Sequence, residues 1–305
     1  MIRALLCPSR RGFTLIETAA CVVVASVATA VALQAGTQPA RDDSRRKKDQ
    51  SQVRAILQSL IIWGQNNRDR YPLPSEIDRT NDTLADQGAA KDTSANIYSL
   101  LVYAGFILTE TLVSPVENNP NVVICETYQF DKPAGAVRPE HASWDPKFSA
   151  ALDAPRAGER KGNVSYAHLQ PAGKRRERWA LTNAADQLVV GTRGPQIKSA
   201  VQNPEGTVTP TLANPASNTL KFFGAGSSWS GFQGYNAGHV SFSKDSLANG
   251  RVVPRGSPVY TANDGKIWPD LWSHDEQDDT KGGNAYLGIF LKAGETPANY
   301  TAAWD

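Results

Sequence analysis

The stretch RRGFTLIETAACVVVASVATAVALQAG, residues 10–36, decides the fold expected of this 305-residue chain. Between residues 13 and 36 the only acidic or basic residue is Glu17. A helix of that length extends roughly 36 Å, against roughly 30 Å for the hydrocarbon core of a bilayer. The first 12 residues carry three arginines and no acid, a pattern that favours a cytoplasmic N-terminus. We therefore expect residues 13–36 to cross a membrane and the chain after residue 36 to lie outside the cytoplasm.

Glu17 is the unusual feature of this segment, because a carboxylate among lipid tails is costly and is normally paired or functional. Three interpretations leave it without a partner. The segment could be a secretory signal peptide, cut near Ala30, Ala32 or Ala35. Residues 9–13 also fit a twin-arginine export signal, and a plain signal anchor would hold Glu17 at the membrane interface. Neither export signal needs an acid within its apolar core.

The run RGFTLIE, residues 11–17, closely resembles the processing site of type IV prepilins and type II secretion pseudopilins. The resemblance implies that a prepilin peptidase cuts between Gly12 and Phe13 and methylates the new amine of Phe13. An α-amino group, with an ordinary pKa of about 7.7–8.0, would then lie beside Glu17 of an adjacent subunit. Pairing neutralises two charges that are each costly alone, so it would favour assembly and set the axial register of the subunits.

The same resemblance implies a structural subunit of a type IV pilus or type II secretion filament, and not an enzyme. The precursor would reside in the bacterial inner membrane, with a cytoplasmic N-terminus and a periplasmic or extracellular head. Its implied partners are the prepilin peptidase, other pilin or pseudopilin subunits, an inner-membrane assembly platform and membrane lipid, with energy from a separate cytoplasmic ATPase. The alternative from another class is a membrane-tethered exported binding module or hydrolase with a signal-anchor N-terminus.

Composition is that of a folded protein, with 40% hydrophobic and 20% charged residues. The net charge is +2, and removing the three leader arginines leaves 29 basic against 30 acidic residues, which gives no indication of a nucleic-acid partner. Of three cysteines only Cys125 lies beyond the apolar segment, so no disulfide framework is expected.

The long helix is expected to continue into the head. Residues 41–49 form a charged run that we interpret as a solvated helical face, and Pro39 just before it should kink or loosen the helix. Gly64, Asn66 and Asn67 end the helical pattern, and the Arg70-Tyr71-Pro72 that follows is similar to the tyrosine–proline step of pseudopilins. Between these points apolar residues recur at helical spacing, namely Val53, Ile56, Leu57, Leu60 and Ile61.

The predicted fold class is α+β, with a long N-terminal membrane-spanning α-helix packed against a C-terminal antiparallel β-sheet head. The expected segments are a removed leader (1–12), a transmembrane half-helix (13–36), a soluble amphipathic half-helix (37–67) and the head (68–305). A short helix is predicted at 95–104, capped by Thr93 or Ser94 and stopped by Gly105. Strands are predicted at 121–125, 164–169, 179–181, 187–191, 220–223, 239–242 and 286–291, and surface loops at 132–162 and 202–218.

The head sequence contains no phosphate-binding glycine loop, paired CxxC, HExxH or nucleophile elbow. Its four histidines, at 141, 168, 239 and 274, are scattered, and no catalytic residue is assigned. Residues 270–279 bring several carboxylates together, so they could bind Ca²⁺ or form a solvated acidic loop. Their spacing is not that of an EF-hand, and the sequence indicates no other cofactor.

Overall fold

The computed structural model describes residues 15–181, 185–202, 208–224, 229–243, 260–261, 267–268, 271–272 and 285–305. The chain forms two compact units, Met1–Arg45 and Arg46–Asp305. The first helix, α1, comprises Leu15–Asn66 and is assigned as one continuous element that includes Pro39. Residues Gly12 and Phe13 lie outside the described residues.

The membrane-spanning part of the predicted fold class is wrong for the described residues. Over those ranges, no helix combines the length with the apolar character that crossing a bilayer requires. The side chains described along α1 begin at Arg41, and they open with an exposed charged run. Phe13 and the side chains of residues 15–40 lie outside the described part.

The α+β composition and the antiparallel sheet of the prediction are confirmed. A six-stranded sheet has the strand order β10-β9-β1-β2-β5-β6, with every neighbouring pair antiparallel. Two further pairs, β3–β4 and β7–β8, form separate two-stranded sheets. The strands are β1 (Tyr166–Leu169), β2 (Leu188–Thr192), β3 (Ile197–Gln202), β4 (Val208–Leu212), β5 (Gly231–Tyr235), β6 (Val240–Ser243), β7 (Tyr260–Thr261), β8 (Ile267–Trp268), β9 (Leu287–Lys292) and β10 (Thr301–Ala303).

The head end of α1 packs in the core of the second unit, as its apolar periodicity predicts. Ile61 is partly buried against the same core, whereas Ile62 on the opposite side is exposed. The enclosed residues follow helical spacing, and we call them the buried face of α1: Asp49, Gln52, Val53, Ile56, Leu57, Ser59, Leu60 and Trp63.

The helix ends where the sequence predicts. The carbonyl of Gly64 accepts the N–H groups of both Asn67 and Asp69 at 2.9 Å, which closes the last turn. Arg68 and Asp69 then adopt positive φ angles of 55° and 61°, so the chain reverses direction without a glycine. The short helix that follows, α2, comprises Pro74–Ile77.

The predicted second helix is confirmed as α3, Ser94–Tyr103. The Thr93 side chain accepts the Asn96 N–H as N-cap, and Gly105 ends the helix at a φ of 76°. Its apolar residues Ile97, Leu100 and Leu101 are buried. The fourth α-helix, α4, comprises Gly173–Arg178.

Several strand predictions are wrong. Residues 220–223 belong to a 3₁₀ segment, Asn218–Gly224, in which Phe223 has a φ of 53°. Residues 121–125 and 179–181 contribute only isolated bridges, through Val122 and Ala180. The predicted loop at 202–218 contains β4. Apolar runs of three to five residues do not distinguish a strand from another buried segment, because they are too short to show a period.

Candidate functional site: the buried face of α1

The structure does not describe the side chains of the sequence-predicted site. Gly12 and Phe13 lie outside the described residues, and Glu17 is described only as a backbone position within α1. The structure does describe the other end of the same helix, where α1 is built into the head. That junction is the candidate site that the geometry provides.

Asp49 is the centre of the junction. Its carboxylate has no exposed surface and accepts hydrogen bonds from three hydroxyl groups. Ser114 Oγ and Tyr166 OH donate to Oδ1 at 2.5 and 2.7 Å, and Thr192 Oγ1 donates to Oδ2 at 3.0 Å. Tyr166 belongs to β1 and Thr192 to β2. One carboxylate therefore connects α1 to the middle of the six-stranded sheet and to the loop that contains Ser114.

The environment of Asp49 is unusual because the described residues place no salt-bridge partner beside it. Burial raises the pKa of the Asp49 carboxyl, and the three hydroxyl donors offset part of that rise. The nearby carboxylate of Glu117 also raises the pKa. Only hydroxyl groups stabilise this buried carboxylate. The loss of any one of the three donors would therefore leave part of its charge without a hydrogen bond.

Gln52 extends the polar network along the same face of α1. Its Nε2 donates to the carbonyls of Glu110 and Val113 at 2.8 and 3.1 Å, and its Oε1 lies 3.1 Å from Tyr166 OH. Both Gln52 and Asp49 thus bond to segments that are distant in sequence. The polar contacts fix the rotation of α1 about its axis, because a turned helix would leave these groups buried without partners.

Apolar contacts complete the junction on both sides of the polar network. Gly234 has no side chain, so Leu57 of α1 packs closely against β5. A Cβ at Gly234 would lie 2.9 Å from Val190 Cγ1 and 3.4 Å from Leu57 Cδ2. At the start of the second unit, the Arg46 guanidinium lies 4.7 Å from the centre of the Phe242 ring.

The tyrosine–proline step predicted from the sequence anchors the chain just after α1. Tyr71 is buried, and its hydroxyl donates to Asn236 Oδ1 at 2.6 Å. Trp179 packs edge-on against the Tyr71 ring and donates from Nε1 to the carbonyl of Pro72 at 3.1 Å. The C-terminal end of the helix is therefore bound to the β5–β6 turn and to the residue that follows α4.

A buried serine–histidine pair was not foreseen from the sequence. His168 Nδ1 lies 2.8 Å from the Leu169 carbonyl, which can only accept, so Nδ1 carries the proton. Nε2 therefore accepts from Ser94 Oγ at 2.7 Å, and that oxygen in turn accepts the Phe290 N–H at 2.7 Å. A serine bonded to a neutral imidazole has the polarity of an activated nucleophile.

The Ser94–His168 pair is too deeply buried for a substrate to reach it. Ser94 has no exposed surface, and the ring of His168 is packed among Tyr98, Trp179 and Phe290 at centroid distances of 5.2–5.7 Å. No substrate can approach Ser94 Oγ in this arrangement. The pair connects α3 with β1 and β9, and its role is structural.

The other two described histidines, His141 and His239, lie apart from the Ser94–His168 pair. His141 lies in an exposed 3₁₀ turn, and His239 stacks on Tyr235 with ring centres 4.5 Å apart. His274 and most of the acidic stretch at 270–279, the candidate calcium site, lie outside the described residues. Within the described part, no three of the metal-ligating side chains come together.

Two surface cavities contain charged residues but no histidine or cysteine. A cleft of about 630 Å³ lies between residues 146–160 and Leu291. A second, of about 570 Å³, lies beside the end of α1 and is lined by Trp63, Arg70 and Glu76 among others. Neither cavity opens onto Ser94 or His168. Comparison with protein-family models, curated proteins and solved structures gave no match for this chain.

Sequence reasoning missed Asp49 and Gln52, because they lie at the end of, or just beyond, a run interpreted as solvated. A positional signal was present: Asp49 precedes Val53 by four residues, so both lie on one helical face. The charged composition of residues 41–49 concealed that relation, whereas the rest of the run, from Arg41 to Lys48, is exposed or partly exposed as expected.

We expect Asp49→Ala to reduce the free energy of unfolding by about 2–4 kcal/mol, because three buried hydroxyls lose their acceptor. Relief of the cost of burying the carboxylate makes the loss smaller than the sum of three hydrogen bonds. Chemical denaturation of the full chain measures the effect. The matched control is Asp43→Ala, an exposed position on the same helix. Equal stability of the two variants would contradict the role given to Asp49.

The buried imidazole predicts a specific pH dependence. Burial lowers the pKa of His168 from 6.5 to about 4. The unfolded chain therefore takes up a proton as the pH falls below 6.5, whereas the folded chain does so only near 4. Relative to His168→Gln, the wild-type protein should lose about 3 kcal/mol of stability over that interval. Asp92, whose pKa burial raises to about 6, acts in the opposite direction but is common to both proteins.

Chemical denaturation of both proteins at pH 7 and at pH 4 measures this difference. A wild-type advantage that is the same at the two pH values would contradict a neutral buried imidazole at position 168.

Proposed function

We propose that the chain is a pilin-like or pseudopilin subunit of a type IV pilus or type II secretion filament. It is made as a precursor, cut between Gly12 and Phe13 by a prepilin peptidase, and assembled through the N-terminal part of α1. Its head acts outside the cytoplasm. The observation that carries the proposal is the processing run RGFTLIE, placed directly before and at the start of a 52-residue helix.

The junction at the head supports this function. A filament subunit transmits force from its N-terminal helix to its head, so the helix must not rotate or slide within the head. The buried face of α1 provides both constraints, through the hydroxyl bonds of Asp49 and the apolar contacts of Leu57 with β5. The buried Ser94–His168 pair is closed to an outside substrate, so it serves the structure of the head.

Three residues carry the proposed assembly step. Gly12 admits the peptidase because it has no side chain at the cut, and cleavage creates the α-amine of Phe13. In the filament, closely packed helices exclude water around Glu17, so its carboxylate needs a cation. The amine of an adjacent subunit supplies that cation. The remaining proposed partners are an inner-membrane assembly platform and the cytoplasmic ATPase that drives it.

Mass spectrometry of the mature protein from expressing cells tests the precursor claim. We expect a chain that begins at methylated Phe13, and we expect Gly12→Val to leave the leader attached because the side chain obstructs the peptidase. The matched control, Gly36→Val, changes a glycine away from the cut and should be processed normally. A mature chain that begins near Gly36 would mean a secretory signal peptide and would refute the proposal.

Replacement of Glu17 tests the assembly step. Glu17→Gln should be cut and methylated normally, but its incorporation into filaments should fall by at least a hundredfold. Removing one partner of a buried ion pair costs about 3–5 kcal/mol, and filament yield in sheared fractions measures the loss. Glu126→Gln, at an exposed position in the head, is the matched control. Wild-type filament yield from Glu17→Gln would show that the ion pair does not direct assembly.

A further inference from the structure

A buried cation lies in the segment between α2 and α3. Lys91 is the last residue of a 3₁₀ turn, Gly88–Lys91, and its side chain is 1% exposed. Its Nζ donates to Asp78 Oδ2 at 2.7 Å, and the Asp78 side chain is equally enclosed. The backbone carbonyl of Asp78 accepts a second bond from Lys91 Nζ.

The third acceptor of the Lys91 amine is a carboxamide. Nζ lies 2.7 Å from Asn81 Oδ1. Since a C=O bond is about 1.2 Å long, the amide carbon Cγ lies within about 4 Å of the amine nitrogen. Asn81 has a positive φ of 58°, so the loop at 78–84 turns sharply at this residue. An amine, an amide carbon and a carboxylate thus meet at one point.

The hydrogen bonds that Asp78 accepts indicate that its side chain is an anion. Its Oδ1 accepts the N–H groups of Asp82 and Thr83 at 2.6 and 3.2 Å, and its Oδ2 accepts that of Leu84 at 3.1 Å. Three N–H donors stabilise the carboxylate anion, which is a poor electrophile and a well-placed base. The electrophile of the cluster is therefore the uncharged amide of Asn81.

We propose that Lys91 and Asn81 form an intramolecular isopeptide bond, with Asp78 as the base that makes the amine nucleophilic. The Lys91 ammonium transfers a proton to the Asp78 carboxylate, which converts two buried charges into two neutral groups. The free amine attacks Asn81 Cγ and forms a C–N bond. The C–Nδ2 bond then breaks, the nitrogen takes the proton held by Asp78 and leaves as ammonia, and the Asp78 carboxylate accepts the surplus amine proton. The reaction needs no oxidant, metal or further reactant.

The surroundings favour this step. Reacting groups that the fold holds in contact replace a bimolecular encounter by an intramolecular one, which can contribute several kcal/mol to the rate. The side chains of Lys91 and Asp78 are shielded from water. Asn81 Nδ2, the leaving nitrogen, lies 3.2 Å from Oε1 of the exposed Gln87, so ammonia departs toward solvent.

The bond would close a covalent ring between positions ten residues apart, in the segment that joins α2 to α3. A covalent tie does not open under tension as an ion pair does. This inference does not depend on the proposed filament function, although a subunit that carries load would benefit from it.

Peptide mapping of the full-length native protein tests the bond. A protease that cuts before aspartate separates residues 78–81 from residues 86–91, because Asp82 and Asp86 lie between them and Asp92 follows. We expect these two fragments to remain joined as one branched species, lighter than their sum by one ammonia. Lys91→Arg keeps a cation at the site but has no reactive amine, so its digest should give two separate fragments.

Two results would overturn the proposal. Separate fragments of full mass from the native protein would show that Lys91 and Asp78 are a static ion pair. A joined species that has lost water instead of ammonia would place the bond on Asp78 and would refute the roles assigned to Asp78 and Asn81. Because the native digest alone gives these results, the test does not require any variant to fold.

Discussion

The structure depends on one buried carboxylate, that of Asp49, held between α1 and the sheet by three hydroxyl groups. Apolar contacts are non-directional, so they favour burial of one face of the helix without selecting each atomic contact. The bonds to Tyr166 and Thr192 define a single rotation and a single height, because any other setting would leave four buried polar groups unpaired. The apolar side chains from Val53 to Leu60 then supply most of the burial that stabilises that setting.

This constraint explains why the helix ends as it does. A helix fixed at Asp49 must leave the sheet within a few turns, and the chain reverses through the positive φ angles of Arg68 and Asp69. Tyr71 then returns to the core and bonds to Asn236 beyond β5, so the two ends of the packed half-helix are held by separate hydrogen-bond networks.

The sequence predicted the helices best, because their period is long enough to count. The buried stripe of α1, the end of α1 and the capped helix α3 follow from spacing and from Thr93 and Gly105. Four of the seven predicted strands coincide with β1, β2, β6 and β9. The membrane-spanning assignment was wrong for the described residues, and the strand at 220–223 was too short to distinguish from a 3₁₀ segment. Asp49, Ser94 and His168 could not be found by composition, since what sets them apart is a partner distant in sequence.

Burial has opposite consequences for the two reactive pairs of the head. Ser94 and His168 have suitable polarity, but a substrate would have to reach an oxygen with no exposed surface, so the pair remains a structural link. Lys91 and Asp78 are just as enclosed, yet the partly buried Asn81 brings an electrophile into contact with their amine. Burial keeps an outside molecule from reaching Ser94. The same burial favours condensation within the chain, because the Lys91 amine stays in contact with the Asn81 amide and the released ammonia departs to solvent.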